Sequence, residues 1–365
     1  MPNVPVWLSP LTTVRLVPDG PVAECPLAQA PNRASATRYR MGYRRIPTRR
    51  NVPSPVTLPT TLSLSSIEAT RQRIRGIAIR TPLVTIEGLA LKLETLQPIG
   101  SFKIRGAAAA LASGTWDSAF TASAGNMAQG VAWVARAQGI PATAIVPDTA
   151  PAAKTSAVER LGGTVIKVSP ERWWQVFEER SYPGLNGRFV HPFADVDVMT
   201  GNATIALEIL EDMPDVDTVL VPFGGGGLAC GIALGLRAAG SSARVYACEV
   251  ETAAPLAASL RDNRASRVER RPSFVDGIGG QAVLEDMWPL AKTLLAGSIV
   301  STVADIATSV RWLAERAHIV AEGAGGSSVA AAHSAKRGER VACVISGGNI
   351  DLPKLATILN GGIPS

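Results

Sequence analysis

From about residue 61, short apolar runs alternate with stretches in which apolar residues recur every three or four positions. The runs have the length of β-strands, and the longer stretches predict amphipathic helices. This alternation favours an α/β fold in which helices cover both faces of parallel sheets. We place strands at 89–93, 142–146, 164–168, 218–222, 244–248 and 341–345, and helices around 126–138, 151–161, 203–211, 228–239, 303–316 and 324–336.

The first 60 residues follow neither pattern. They contain 11 of the 26 prolines, and eight arginines against two acidic residues, Asp19 and Glu24. Such a composition cannot bury much apolar surface, so we interpret 1–60 as a basic, proline-rich and disordered extension outside the fold. Its arginine content resembles that of an organelle transit peptide, although the prolines disfavour an amphipathic helix there.

The extension accounts for the whole net charge of +6, because the remaining residues carry equal numbers of basic and acidic side chains. A neutral body needs no polyanionic partner, so we expect no binding to nucleic acid. No apolar run approaches the roughly 20 residues that cross a bilayer, so we expect no membrane partner. The four cysteines form no CxxC pair. This argues against structural zinc and disulfides and predicts a cytoplasmic protein.

Four consecutive glycines, 224–227, lie between an apolar run and an alanine-rich helix. Their backbone amides can converge on an anion, and the helix N-terminus adds a positive dipole, so we predict a phosphate site. This segment alone leaves the kind of phosphate open. Gly224, Gly226 and Ala229 also satisfy the GxGxxA pattern, and Glu249 follows 20 residues after Ala229, as in dinucleotide-binding enzymes. A flexible turn is the simpler alternative.

Three further segments carry candidate chemistry. Lys103 begins an alanine-rich helix beside Phe102; burial there would lower the pKa of the amine and make it nucleophilic, whereas a solvated lysine would have no such role. The segment 123–126 opens a helix and offers backbone donors to an anion, or serves only as the N-cap. Ser346 begins another glycine loop, which could equally be a tight turn.

Taken together, the segments SFKxRGA, SAGNxAQG, VPxGGGGL and SGGN resemble the serine/threonine dehydratases, pyridoxal-phosphate enzymes of fold type II. The segments at 191–193 and 200–204 are also similar to the family, with Asn202 where glutamine is usual. The resemblance runs from about Ile67 to about Leu359.

The resemblance implies a two-domain architecture like that of the tryptophan synthase β subunit, with parallel sheets flanked by helices. We expect 61–117 and 194–365 to form a large cofactor-binding domain, and 118–193 to form a small inserted domain.

The resemblance also implies pyridoxal 5'-phosphate as the cofactor and assigns roles to single positions. Lys103 matches the lysine that holds the cofactor covalently, and Phe102 the aromatic residue against its ring. Asn126 matches the partner of the 3-hydroxyl group, and Ser346 the partner of the pyridine nitrogen. The phosphate loop corresponds to Gly224, Gly225, Gly226, Gly227 and Leu228, and the loop that binds the substrate carboxylate to Ser123, Ala124, Gly125, Asn126 and Gln129.

The implied reaction removes the hydroxyl group of a β-hydroxy amino acid such as L-threonine or L-serine and gives a 2-oxo acid and ammonia. Lys103 removes the Cα proton while the cofactor acts as electron sink. The alternatives are a dehydratase of a bulkier substrate such as phenylserine, a related lyase or racemase, an NAD-dependent oxidoreductase, and a non-catalytic ligand-binding homologue. The expected partner is an amino-acid substrate, and a homodimer is a candidate assembly.

Three further departures from the family pattern bear on the chemistry. Met127 replaces a histidine, Ala124 the serine of the related racemases, and Pro255 an aspartate that helps to bind a divalent metal in some relatives. We therefore expect little racemisation and no metal site. Trp173 and Trp174 stand roughly where relatives have polar residues near the mouth of the active site. Either both pack structurally, or one of them lines the cleft and favours a larger substrate.

Overall fold

The computed structural model describes residues 58–334 and 338–364. Of the predicted extension 1–60, all but the last three residues therefore lie outside the described part. Within the described ranges, the strands are β1 Leu83–Ile86, β2 Leu89–Leu93, β3 Ala119–Ala122, β4 Ala142–Pro147, β5 Thr164–Val168, β6 Arg188–Phe189, β7 Thr218–Pro222, β8 Arg244–Val250, β9 Gly297–Ser301 and β10 Val341–Ile345. The α-helices are α1 Leu64–Arg73, α2 Lys103–Leu111, α3 Asn126–Gln138, α4 Ala152–Arg160, α5 Pro170–Glu179, α6 Val196–Asp212, α7 Gly227–Ala238, α8 Pro255–Asp262, α9 Trp288–Leu294, α10 Val303–Arg316, α11 Gly323–Ser334 and α12 Leu352–Leu359.

The larger sheet has six strands in the order β1-β2-β10-β7-β8-β9. Its neighbouring strands are parallel, except for the antiparallel pair β1 and β2. Strands β2, β7 and β10 are buried along almost their whole length. Continuous burial of successive residues requires cover on both faces, which explains why these strands have unbroken apolar runs. The predicted α/β class with parallel sheets is confirmed.

The smaller sheet has four parallel strands in the order β5-β4-β3-β6. All of them come from one continuous stretch, which lies inside the segment 118–193. This placement fits an inserted unit, and the division of the chain into two domains stays a prediction.

The predicted strands all exist, and β4 and β8 extend slightly further than expected. The prediction of a helix around 203–211 is wrong at its start, because α6 begins at Val196. The carboxylate of Asp195 caps it by accepting hydrogen bonds from the backbone N–H groups of Asp197 and Val198. Gly201 lies inside this helix, and only glycine fits there, because a Cβ would overlap the backbone of Arg105. Tertiary packing of α6 on α2 thus overrides the low helix propensity of glycine.

Three cysteines of the described residues, Cys230, Cys248 and Cys343, are buried and free. Burial raises the pKa of the Cys230 and Cys343 thiols to about 12, and raises that of Cys248 well above its usual range. In the part of the chain that the structure describes, no helix combines the length and apolar character needed to cross a membrane.

Candidate active site

A cavity of about 810 Å³ lies beside the carboxyl ends of β3, β6, β7 and β10, since residues that follow each of these strands line it. Ligands of α/β proteins bind at such ends. The structure brings every residue predicted for cofactor and substrate to this one cavity: Phe102, Lys103, Ser123, Ala124, Gly125, Asn126, Gln129, Gly224, Gly225, Gly226, Gly227, Leu228 and Ser346.

Lys103 is the first residue of α2, and its side chain points into the cavity. The amine donates a hydrogen bond to the backbone carbonyl of Pro192 at 2.6 Å and lies 5.0 Å from the centre of the Phe102 ring. Burial lowers the pKa of this amine to about 8, against the opposing effect of the charge on Glu322. A much larger fraction of the amine is therefore unprotonated and nucleophilic near neutral pH than for an exposed lysine.

The turn before α2 is fastened to the loop after β10. The backbone N–H of Phe102 donates to the carbonyl of Ser346 at 3.0 Å, and the N–H of Gly348 donates to the carbonyl of Gly100 at 2.9 Å. Ser346 itself is buried and lines the cavity. These bonds hold the backbone of Ser346 against Phe102, the residue before Lys103.

The glycine loop leads from β7 into α7, which begins at Gly227. A Cβ at Gly225 would overlap the ring of Phe193, and Gly226 has a φ of 92°, which disfavours any side chain. The loop is thus packed against Phe193 with only backbone facing the cavity. Bare backbone amides at a helix N-terminus fit a phosphate group, so the loop suits the phosphate of a cofactor.

Asn126 is the first residue of α3, the helix that follows β3 of the smaller sheet. Its side-chain amide donates to a carboxylate oxygen of Glu322 at 3.0 Å, and its carbonyl oxygen accepts from the amide of Asn349 at 2.8 Å. Both partners belong to segments that flank the larger sheet, one before α11 and one after β10. Asn126 is therefore held by groups from two distant parts of the sequence.

Glu322 is a site residue that the sequence analysis missed. It lines the cavity, and burial together with the negative charge of Asp276 raises the pKa of its carboxyl group to about 7. No motif surrounds it, and its only signal is an acidic residue directly before the small-residue helix that starts at Gly323. That pattern alone does not reveal a contact with Asn126.

His191 shapes the turn that carries the Pro192 carbonyl. Its Nδ1 accepts hydrogen bonds from the backbone N–H groups of Phe193 at 3.2 Å and Ala194 at 2.9 Å. Burial lowers the pKa of His191 well below its usual range, and the positive charges of Arg180 and Lys103 act in the same direction. The imidazole is therefore neutral, with its proton on Nε2.

A buried group of charged side chains anchors α2 two residues after Lys103. Arg105 bonds Glu94 through Nε at 2.8 Å and Glu208 through Nη1 at 2.7 Å, while the amine of Lys92 bonds Glu208 at 2.5 Å. All four side chains are at most 2% exposed. Two cations and two anions thus balance each other inside the protein, which buried charges require.

Glu249 has a structural role that its position in the sequence does not reveal. Its carboxylate accepts hydrogen bonds from the backbone N–H groups of Leu256 and Ala257, each at 2.8 Å, and from the Ser298 hydroxyl at 2.5 Å. It caps α8 and is absent from the cavity wall, so it cannot act as the ribose partner that the GxGxxA pattern suggested. Among residues 58–334 and 338–364, no cluster of three or more candidate metal ligands exists.

Comparison with known proteins decides which cofactor this cavity serves. The model of the pyridoxal-phosphate dependent enzyme family matches residues 74–347. The chain belongs to this family. Pyridoxal phosphate is therefore its cofactor, and the NAD-dependent alternative is set aside. The Lys103 amine, the bare glycine loop and the Ser346 hydroxyl are chemically suited to this cofactor, and all three line the same cavity.

The relatives of this pyridoxal-phosphate enzyme narrow the family further. The chain is 37% identical to the L-threonine ammonia-lyase of Thermotoga maritima, over 83% of this chain and 79% of the relative. It is 36% identical to a catabolic L-threonine dehydratase of Staphylococcus aureus, over 84% of this chain and 95% of the relative. The enzyme is thus a serine/threonine dehydratase-like member of the family.

Solved structures agree with this placement. The threonine deaminase of T.th. matches with a TM-score of 0.74 and 31% identity, over 80% of this chain and 99% of that protein. Maize serine racemase matches with a TM-score of 0.76 and 28% identity, over 82% of this chain and 97% of that protein. The fold is therefore fold type II, as the sequence predicted.

Proposed function

We propose that this enzyme removes the hydroxyl group of L-threonine or L-serine and releases a 2-oxo acid and ammonia. The observation that carries the proposal is the amine of Lys103, with a pKa lowered to about 8, in one cavity with the glycine loop, Asn126 and Ser346. The names of the threonine ammonia-lyase and threonine dehydratases among the relatives support this choice of substrate.

When bound, the cofactor would supply an electron sink for the bond broken at Cα and an acidic phosphate group. Lys103 takes the Cα proton, and the Pro192 carbonyl orients its amine at 2.6 Å. The backbone N–H groups of 123–126, at the N-terminus of α3, bind the substrate carboxylate. The glycine loop would hold the phosphate group, and Ser346 would offer the pyridine nitrogen a neutral hydroxyl partner, which would favour elimination over transamination.

Racemisation is the main competing reaction, because two serine racemases and an aspartate racemase are among the structural neighbours. A racemase must deliver a proton to the face of Cα opposite the lysine. Ala124, on the cavity wall, has no proton to deliver, so we expect D-amino acid to form far more slowly than the 2-oxo acid.

The decisive experiment compares Lys103→Ala with Lys292→Ala, a control that replaces an exposed lysine outside the cavity. Borohydride reduction of the holoenzyme should add the mass of the cofactor to the peptide that contains Lys103. This adduct and the production of 2-oxobutyrate and ammonia in equal amounts from L-threonine should both vanish in Lys103→Ala and persist in the control. Cofactor attached to another lysine would refute the assignment.

We further propose a cytoplasmic homodimer in which the segment 118–193 forms a small domain beside the cleft. The buried free cysteines are compatible with a reducing compartment. Light scattering of the purified protein measures the mass of the assembly, and cell fractionation tests the location.

A further inference from the structure

One wall of the cavity is aromatic, and it lies on the same cavity as Lys103. The aromatic wall consists of Trp173, Trp174 and Phe177 from α5, together with Phe193. The rings of Trp174 and Phe177 are stacked at 5.4 Å, and those of Trp173 and Phe177 lie 5.5 Å apart. Phe177 lies 5.5 Å from Phe193. The four rings therefore form one continuous apolar surface.

One end of the aromatic wall, Phe193, lies next to the residue that bonds the Lys103 amine. Phe193 directly follows Pro192, whose carbonyl holds the Lys103 amine, and its ring covers Gly225 of the phosphate loop. In the proposed elimination, Cα must lie next to the Lys103 amine that takes its proton, and Cβ is bonded to Cα. A substituent on Cβ is thus close to the start of the aromatic wall.

Trp173 and Trp174 are both only half-buried, and both line the cavity. The expectation that one of them at most would line the cleft is wrong. Besides the hydroxyl group, serine has no substituent on Cβ and threonine has one methyl group, so neither would cover this surface. A bulky apolar substituent would cover it and gain both burial and ring stacking.

Basic residues other than Lys103 also line the cavity, which suggests at first that it binds a substrate with an anionic group on Cβ. Their surroundings argue against strong binding of such a group. Lys154 is already paired with Asp276 at 2.7 Å. Arg160 and Arg270 also line the cavity, but both are exposed at its rim. Solvated cations at a rim contribute little specific binding.

We propose that the enzyme accepts β-hydroxy amino acids with an aromatic or other bulky apolar group on Cβ, and that Trp173 and Trp174 select for that group. The proposal rests on the proposed β-elimination. For threo-3-phenyl-L-serine, the C–H bond at Cα and the C–O bond at Cβ break, a Cα–Cβ double bond forms, and water leaves. The released enamine takes up water and loses ammonia, which gives phenylpyruvate.

The kinetic test measures kcat/KM of the holoenzyme for L-serine, L-threonine, threo-3-phenyl-L-serine and threo-3-hydroxy-L-aspartate. We expect phenylserine to be turned over at least as well as serine, with phenylpyruvate and ammonia as products. Trp173→Leu and Trp174→Leu keep an apolar side chain but remove the ring. One or both should lower kcat/KM for phenylserine at least about fivefold and leave that for serine within about twofold. Trp312→Leu, which alters a tryptophan outside the cavity, is the matched control.

A binding test gives a readout without turnover, because L-phenylalanine and L-alanine carry no leaving group on Cβ. Calorimetry should show tighter binding of phenylalanine than of alanine to the holoenzyme, and loss of that difference in the tryptophan variants. Turnover of serine without turnover of phenylserine, or a preference for hydroxyaspartate, would overturn the inference and leave the proposed function standing. Failure with all four β-hydroxy substrates would instead reject the proposed function.

Discussion

The amine of Lys103 donates its hydrogen bond to the carbonyl of Pro192, and the side chain of His191 determines where that carbonyl lies. The Nδ1 atom of His191 accepts hydrogen bonds from the two backbone N–H groups that follow Pro192 and so fixes the turn that contains Pro192. A residue that does not line the cavity thus positions the proposed base.

Two substitutions at His191 distinguish the effect of its aromatic ring from the effect of its hydrogen-bond acceptor. His191→Phe keeps an aromatic ring but leaves two backbone N–H groups without a partner, whereas His191→Asn retains an acceptor close to the place of Nδ1. We expect His191→Phe to lower kcat at least about tenfold, equivalent to ~1.4 kcal/mol, with little change in KM. His191→Asn should restore much of the loss.

A second readout distinguishes positioning of the amine from a general loss of structure. The pH dependence of labelling of Lys103 in the cofactor-free protein reports the pKa of its amine. This pKa should shift in His191→Phe and return towards about 8 in His191→Asn. Equal effects of both variants on kcat, with an unchanged labelling profile, would assign His191 a purely structural role.

Glu322 should make the stability of the cofactor-free protein depend on pH. Because the pKa of its carboxyl group is raised from 4.5 to about 7, the folded protein keeps a proton that the unfolded chain releases between these values. Stability should therefore fall as the pH rises through this window. Glu322→Gln removes the titrating group, so its unfolding midpoint should change less between pH 4.5 and 7 than that of the parent.

The same variant tests the link between Glu322 and Lys103. The carboxylate raises the pKa of the lysine, so Glu322→Gln should move the labelling profile of Lys103 to lower pH. Glu159→Gln, which changes an exposed carboxylate, should alter neither profile. If the unfolding midpoint changed equally with pH in the parent, Glu322→Gln and Glu159→Gln, the raised pKa of Glu322 would be contradicted.

Much of this site could be predicted from the sequence, because local segments of Gly, Ser, Asn and Lys carry it. The structure brings the positions around Lys103, Asn126, 224–227 and Ser346 to one cavity, and their individual roles stay predictions. Glu322 was not found, because its partner Asn126 lies 196 residues away and the contact exists only after the two sheets have packed.

The buried charges beside α2 escaped the sequence analysis for the same reason. In the sequence, Lys92 looks like a polar residue on the solvent-facing side of a strand. Its amine in fact bonds Glu208, which is 116 residues away. The edge strands β6 and β9 were missed for a different reason: the first has two residues, and the second is partly exposed and not uniformly apolar.

Lys92→Met should destabilise the protein strongly, because it leaves the buried group with an excess negative charge. Breaking one partner of such a group typically costs about 3–5 kcal/mol. Lys92→Met combined with Glu208→Gln restores the charge balance and should recover part of the loss. Arg316→Ala removes an exposed pair with Glu87 at 3.8 Å and should change stability by less than about 1 kcal/mol. Urea unfolding midpoints of the four proteins provide the comparison.

Divalent metal should be unnecessary for activity. The carboxylate of Glu249 is already occupied by two backbone N–H groups and one hydroxyl, and Pro255 offers no side-chain oxygen. Calcium and magnesium need about six oxygen ligands or more. Dialysis against EDTA should leave kcat/KM for L-threonine within about twofold. Inactivation by EDTA with recovery on addition of magnesium would point to a metal site built from other residues.

The three buried cysteines have a consequence for how the protein responds to oxidants. Thiolates, rather than thiols, react with peroxide and disulfides. Burial raises the pKa of Cys230 and Cys343 to about 12 and that of Cys248 well above its usual range, so all three thiols stay protonated. Their positions in α7, β8 and β10 also keep oxidants out unless the core opens. Oxidation of these thiols would therefore follow opening of the larger sheet and would not precede it, so the redox state of the surroundings reaches these three cysteines only through unfolding of the core.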